Sequence, residues 1–143
     1  MNRKQELLHE LMVMEKESPT KKITAPGDVY SILAEYCMKR QEHFIVMTLK
    51  GSHELINKHV ISIGLVNRTL VHPREVFYPA VKDNAAAIMI AHNHPSGNLE
   101  PSQEDFEITK RLKEASKIMG IEILDHLIVT TNGYYSFLEE NNL

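Results

Sequence analysis

Two histidines at positions 92 and 94, a serine at 102 and an aspartate at 105 are the residues whose types and spacing could do chemistry. They lie in the stretch IAHNHPSGNLEPSQED, residues 90–105, directly after the apolar run AAAIMIA at 85–91. That run reads as a central strand covered on both faces. In extended chain, residues two apart point to the same side, so His92 and His94 can approach one ion together. Pro95 and Gly97 turn the chain back, and Pro101 leads into a helix. Asp105 falls in the first turn of that helix, where the dipole favours a carboxylate. Two imidazole nitrogens and one carboxylate oxygen match the three protein ligands typical of a catalytic zinc site, whose fourth position is left to water. Such an ion acidifies a water to a pKa near ~7 and polarises a carbonyl. Taken alone, Ser102-x-x-Asp105 is close to a capping box, with serine at the N-cap and an acid at N3. The combination points to a metal, and Ser102 can cap the helix and take part in chemistry at once.

The elements that must position these residues follow from periodicity. Leu7, Leu8, Leu11 and Met12 recur at helical spacing and are followed by KESPTKK, which reads as a helical arm and a linker. A second helix is expected after PGD, with Asp28 as N-cap and Val29, Ile32, Leu33, Tyr36 and Cys37 on one face. HFIVMTL (43–49) reads as a buried strand, and Gly51-Ser52 as a turn. HVISIGLV (59–66) alternates Ile61, Ile63 and Leu65 with small or polar residues, the period of a strand. A helix opens at Pro73 with Val76, Phe77, Ala80 and Val81 inward, and Pro79 should kink it or delay its start. Ser102 to Met119 reads as a long helix closed by Gly120, IEILDHLIVT (121–130) as a strand, and Asn132-Gly133 as a hairpin turn into a final strand. Helices alternating with strands imply a mixed β-sheet flanked by helices, an α/β architecture.

At 143 residues the chain suits one domain with a short extension. Its 43% apolar and 24% charged residues are ordinary for a soluble protein, and no apolar stretch reaches the length of a membrane span. Acids interrupt the N-terminus where a signal peptide would need an apolar core, so a cytoplasmic location is expected. Cys37 is the single cysteine, which excludes an internal disulfide and a thiolate-rich metal site and leaves it a packing role. The net charge of −3 is spread without a basic stripe, so direct DNA binding is not expected.

The pattern His92-x-His94-Pro95, six residues, Ser102, two residues, Asp105 resembles the JAMM (MPN+) metalloprotease motif H-x-H-P-x6-S-x2-D. The fuller wording, VHPREVF at 71–77, NAAAIMIAHNHPSG at 84–97 and LDHLIV at 124–129, is similar to RadC-type JAB domains over residues 26 to 138. The resemblance implies a cytidine-deaminase-like α/β/α sandwich and a Zn2+ hydrolase site with His92, His94 and Asp105 as ligands. It also implies an upstream glutamate, at a helix-to-strand junction, that takes a proton from the attacking water. Glu42, in KRQEHFIVMTL, is best placed for that role; Glu35, Glu54 and Glu75 are the fallbacks, and by pattern alone Glu42 is a solvated acid. Ser102 is the expected oxyanion partner.

Residues 1–25 are accordingly expected to form an arm and linker, 26–138 the hydrolase domain and 139–143 a tail. Full-length RadC proteins carry a helix-hairpin-helix region where this chain has roughly 25 residues of charged helix, so the resemblance adds little weight to DNA contact. The expected activity is hydrolysis of a peptide or isopeptide bond in an unknown peptide or protein substrate. A nucleic-acid-associated protein of the RadC (DNA repair) type and a metal-binding scaffold are the competing classes. His126 reads as a core histidine or as a hydrogen-bond partner of a ligand. His9, His43, His53, His59 and His72 read as surface or structural, and the 7–14 apolar pattern as a packing face with a homodimer contact as its functional reading.

Overall fold

Every residue of β3 (Ala87–Asn93) is buried, as an apolar strand covered on both faces requires. A computed structural model describes residues 2–8, 21–66 and 71–143. Residues 3–8 form a helical segment, α1, on which Leu7 and Leu8 are exposed; Leu11, Met12 and His9 lie outside the described residues. The chain then forms α2 (Pro26–Ile32), a 3-10 turn (Ala34–Met38), β1 (His43–Leu49), β2 (Leu55–Ile63) and α3 (Pro73–Lys82). After β3 come α4 (Gln103–Met119), β4 (Glu122–Thr130) and β5 (Gly133–Ser136). The strands make one sheet in the order β2-β1-β3-β4-β5, parallel between β3 and β4 and antiparallel elsewhere.

Alternation along the central strands divides the core in two. Phe44, Val46, Ile88 and Ile90 pack with Val76, Phe77 and Ala80 of α3 and Ile108 and Leu112 of α4. Ile45, Met47, Met89 and Ala91 pack on the opposite face with Val29 and Leu33. The result is the expected α/β/α sandwich around a mixed sheet. Among the described residues, no helix is long and apolar enough to cross a membrane.

Several local expectations shift. Asp28 is not the N-cap of α2; Ala25 is, and Asp28 at N3 accepts from the Thr24 and Ala25 N–H groups at 2.9 and 3.1 Å. The face from Val29 to Cys37 is split, because α2 ends at Ile32 and the chain tightens into 3-10 geometry. The second strand runs over Leu55–Ile63 rather than 59–66. The central strand runs two residues later than 85–91, so His92 lies inside it. Helix α3 starts at Pro73 and continues across Pro79, which is buried within it. The loop of the last hairpin is Thr131-Asn132, and the positive φ of 138° falls on Gly133, which opens β5. Beyond β5, Asn142 N–H bonds the Phe137 carbonyl at 2.7 Å and Leu143 packs against the α3/α4 side of the core. Cys37 is half-buried, and burial raises its thiol pKa, in keeping with a packing role.

Candidate metal centre

The end of β3 and the start of α4 bring His92, His94 and Asp105 together, with one ligand atom from each lying within 4.8 Å of the others. His92 comes from inside β3 on the α4 side of the sheet, and its side chain is fully buried. His94 sits just past the strand, held by its N–H to the Val129 carbonyl at 3.1 Å. Asp105 shares the inward face of α4 with Ile108, Thr109 and Leu112, at the i+3, i+4 and i+7 positions. The ends of both rings meet the carboxylate: His92 Nε2 is 3.3 Å from Asp105 Oδ1, and His94 Nε2 is 3.2 Å from Oδ2.

Ser102 and Asp105 also form the capping box. Ser102 Oγ accepts from Asp105 N–H at 3.1 Å, and Asp105 Oδ2 accepts from Ser102 N–H at 2.9 Å. The cap therefore fixes the carboxylate that faces the histidines. Because Oγ accepts in the cap, its own O–H remains available to donate.

Burial opposes the charge on Asp105, but the His92 and His94 rings against its oxygens and the hydrogen bond from Ser102 N–H outweigh it and hold the carboxyl far below its ordinary pKa. Burial likewise opposes protonation of His94, yet its contacts with Asp105 and the Asn98 carbonyl, and the charge of Glu42, raise its pKa. His94 Nδ1 lies 2.7 Å from the Asn98 carbonyl oxygen, which can only accept, so Nδ1 carries a proton. In the neutral ring, His94 Nε2 then presents a lone pair 3.1 Å from His92 Nε2. Electron-rich atoms gathered at this spacing repel unless a positive charge stands among them. This N, N, O set fits a divalent transition ion.

An open cleft of about 570 Å3 runs over the cluster, lined by Glu42, Val66, His94, Ser102 and Asp105 among others. Glu42 is anchored there: its Oε2 accepts from Val66 N–H at 2.9 Å, and its backbone carbonyl accepts from Gly64 N–H at 2.8 Å. The fallback glutamates are elsewhere. Glu35 pairs with Lys58, Glu54 accepts from Ser52 Oγ, and Glu75 pairs with Arg74. Glu100 and Glu104 do line the cleft, but both are exposed, whereas Glu42 is half-buried and tethered.

Two contributors escaped the reading of the sequence. Asn93, between the two histidines, points to the other face of the sheet and ties down residues 41–43. Thr109 Oγ1 lies 2.6 Å from both the Asp105 carbonyl and His126 Nδ1. The i+4 spacing of Asp105 and Thr109 was the available signal for Thr109; Asn93 offered none. His126 is both core and hydrogen-bond partner: fully buried, it places Nε2 2.9 Å from His92 Nδ1. Burial pushes its pKa well down, and the neighbouring His92 adds to the effect. Among the described residues, the remaining histidines do structural work. His72 caps α3, His59 pairs with Asp83 at 2.7 Å, His43 Nδ1 contacts the Gln41 carbonyl, and His53 adopts a positive φ in a turn.

The family model of the RadC-like JAB domain matches residues 23–143. The chain belongs to the RadC-like JAB family. Among curated relatives, a UPF0758 protein of Methanospirillum hungatei is 53% identical over 111 residues, which cover 76% of this chain and 49% of that protein. UPF0758 proteins of Clostridium perfringens and Pelobacter propionicus are 50% and 46% identical over 85% of this chain and 54% of their own lengths. This RadC-like chain thus spans about half the length of the curated relatives it matches.

Proposed function

We propose that the chain is a Zn2+-dependent hydrolase of peptide or isopeptide bonds, with His92, His94 and Asp105 as the metal ligands. The reading is carried by one observation: two imidazole Nε2 atoms and the Asp105 carboxylate converge within 3.1–3.3 Å at the edge of a cleft that also holds Glu42. Bound there, Zn2+ would supply acidification of a water and polarisation of the scissile carbonyl.

The chain's own residues then divide the remaining work. Glu42 acts as general base and general acid, taking a proton from the attacking water and later giving it to the leaving amine. Its Oε2 is held by Val66 N–H, which steadies the carboxylate while Oε1 handles the proton. Ser102 donates its O–H to the oxyanion as negative charge develops, while its Oγ continues to cap α4. The substrate is an unknown peptide or protein that enters along the cleft.

The test is a panel of peptide and lysine-isopeptide substrates incubated with zinc-loaded protein and with Glu42→Gln. Expected are cleavage by the unaltered chain and loss of cleavage by the variant, with zinc content preserved. Full activity in Glu42→Gln would overturn the base assignment. Failure of the zinc-loaded chain to cut any member would overturn the peptidase reading.

A further inference from the structure

His126 and Thr109 lie behind the cluster, away from the cleft, and the direction of their hydrogen bonds follows from the groups they meet. Thr109 Oγ1 is 2.6 Å from the Asp105 carbonyl oxygen. A carbonyl can only accept, so the single hydroxyl hydrogen points there. The same oxygen is 2.6 Å from His126 Nδ1, and with its hydrogen committed it can only accept from that nitrogen. His126 therefore carries a proton on Nδ1.

The ring of His126 is fully buried, stacked on Phe137 at 4.5 Å and 8° and meeting the edge of Phe44 at 5.8 Å. Its two nitrogens face Thr109 and His92, with no carboxylate on either. An imidazolium in that aromatic box would have neither solvent nor a counter-charge at its nitrogens, so the ring stands neutral. In the neutral ring, Nε2 is an acceptor. It lies 2.9 Å from His92 Nδ1, which must donate to it. His92 is left with its lone pair on Nε2, the atom that faces Asp105.

We propose that Thr109 and His126 are positioning residues that lock His92 in its Nδ1–H tautomer, so that Nε2 is free for a metal ion. The proposal rests on reading His92, His94 and Asp105 as a metal site. The chain of bonds starts at the Asp105 backbone and ends on the ring that faces the Asp105 carboxylate. Two of the three ligands are thereby tied into one closed circuit. His94 is set separately, by the Asn98 carbonyl. Phe44, stacked on His92 at 14°, limits rotation of that ring.

Imidazole 15N–1H correlation spectra of the metal-free protein read the tautomers directly, and chelator competition reads zinc affinity. Both are measured on the full chain, on Thr109→Val, which keeps the side-chain shape, and on Thr109→Ser, which keeps the hydroxyl. Expected are Nδ1–H forms of His92 and His126 in the unaltered protein. Zinc affinity should fall about 10–100-fold in Thr109→Val, with Thr109→Ser within about three-fold of the unaltered chain. A folded Thr109→Val that binds zinc as tightly as the unaltered chain overturns the proposal. An Nε2–H tautomer at His92 in the unaltered protein overturns it even if Thr109→Val fails to fold. If the unaltered chain binds no zinc, the metal reading falls as well; zinc bound with the wrong tautomer removes this proposal alone.

Discussion

The side-chain oxygen of Asn93 accepts a hydrogen bond from the backbone N–H of His43 at 2.6 Å, and its amide donates to the Gln41 carbonyl at 3.0 Å. Asn93 thus reaches, from between the two histidines, to both residues flanking Glu42. The strand that carries His92 and the junction that carries Glu42 become one rigid piece. Asn93→Ala removes two part-buried hydrogen bonds to backbone groups, each worth about 0.5–1.5 kcal/mol. Zinc affinity should survive, because His92 faces the other side of the sheet. Turnover on an identified substrate should fall by roughly 10²-fold through misplacement of Glu42. Parallel zinc titration and kcat measurement check this.

Under the proposed function Ser102 serves the helix and the reaction with different atoms, so its substitutions separate the two. Ser102→Ala removes the cap at a cost of about 1 kcal/mol. At this chain length that lowers Tm by about 3 °C. Loss of the O–H donor should reduce kcat by about 10²–10³-fold, well beyond what the stability change explains. Thermal melts and kinetics on Ser102→Ala and Ser102→Thr, which retains both donor and acceptor, provide the check.

A bound metal stabilises the fold that presents its ligands. Zinc at ~100 times its Kd should add about 2.7 kcal/mol and raise Tm accordingly. Chelator should reverse the shift. Neither His94→Ala nor Asp105→Asn should show it, and a shift retained by both would place the ion elsewhere.

Asp83 provides an acid-sensitive contact remote from the cluster. Burial opposes its charge, but the His59 ring at 2.7 Å and the Thr48 hydroxyl at 2.7 Å outweigh it and lower its pKa. Its contribution to stability is therefore present above the unfolded value of about 3.9 and is lost as pH falls through the lower folded value. Unfolding free energy measured against pH should decline less steeply below pH ~4 in Asp83→Asn than in the unaltered chain.

Much of the fold was legible because it rests on local periodicity. The apolar run before His92 had to be an interior strand, and the i, i+3, i+4, i+7 pattern of α4 had to face the sheet. The convergence of His92, His94 and Asp105 was legible too, because one strand, one turn and one helix end bring them together within fourteen residues. Glu42 could be proposed only by resemblance to the family, since His94 and Asp105, with which it shares the cleft, lie some fifty to sixty residues further on.

His126 marks where local reasoning stops. Ile121 and Ile123 face the α3/α4 side of the sheet, and strict alternation would send Asp125 there next. A register shift opposite Ile88 and Met89 inserts one extra residue in β4. It turns His126 toward His92 and leaves Asp125 on the opposite face, accepting from Ser136 and Leu138 with its pKa raised by burial. A one-residue slip exchanges the faces of every following side chain, and whether it occurs depends on pairing with β3. The sequence by itself determined which residues gather at the end of β3. Tertiary pairing decided which side chain of the Asp125-His126 pair supports them, because strand register is a property of two strands and cannot be read from one.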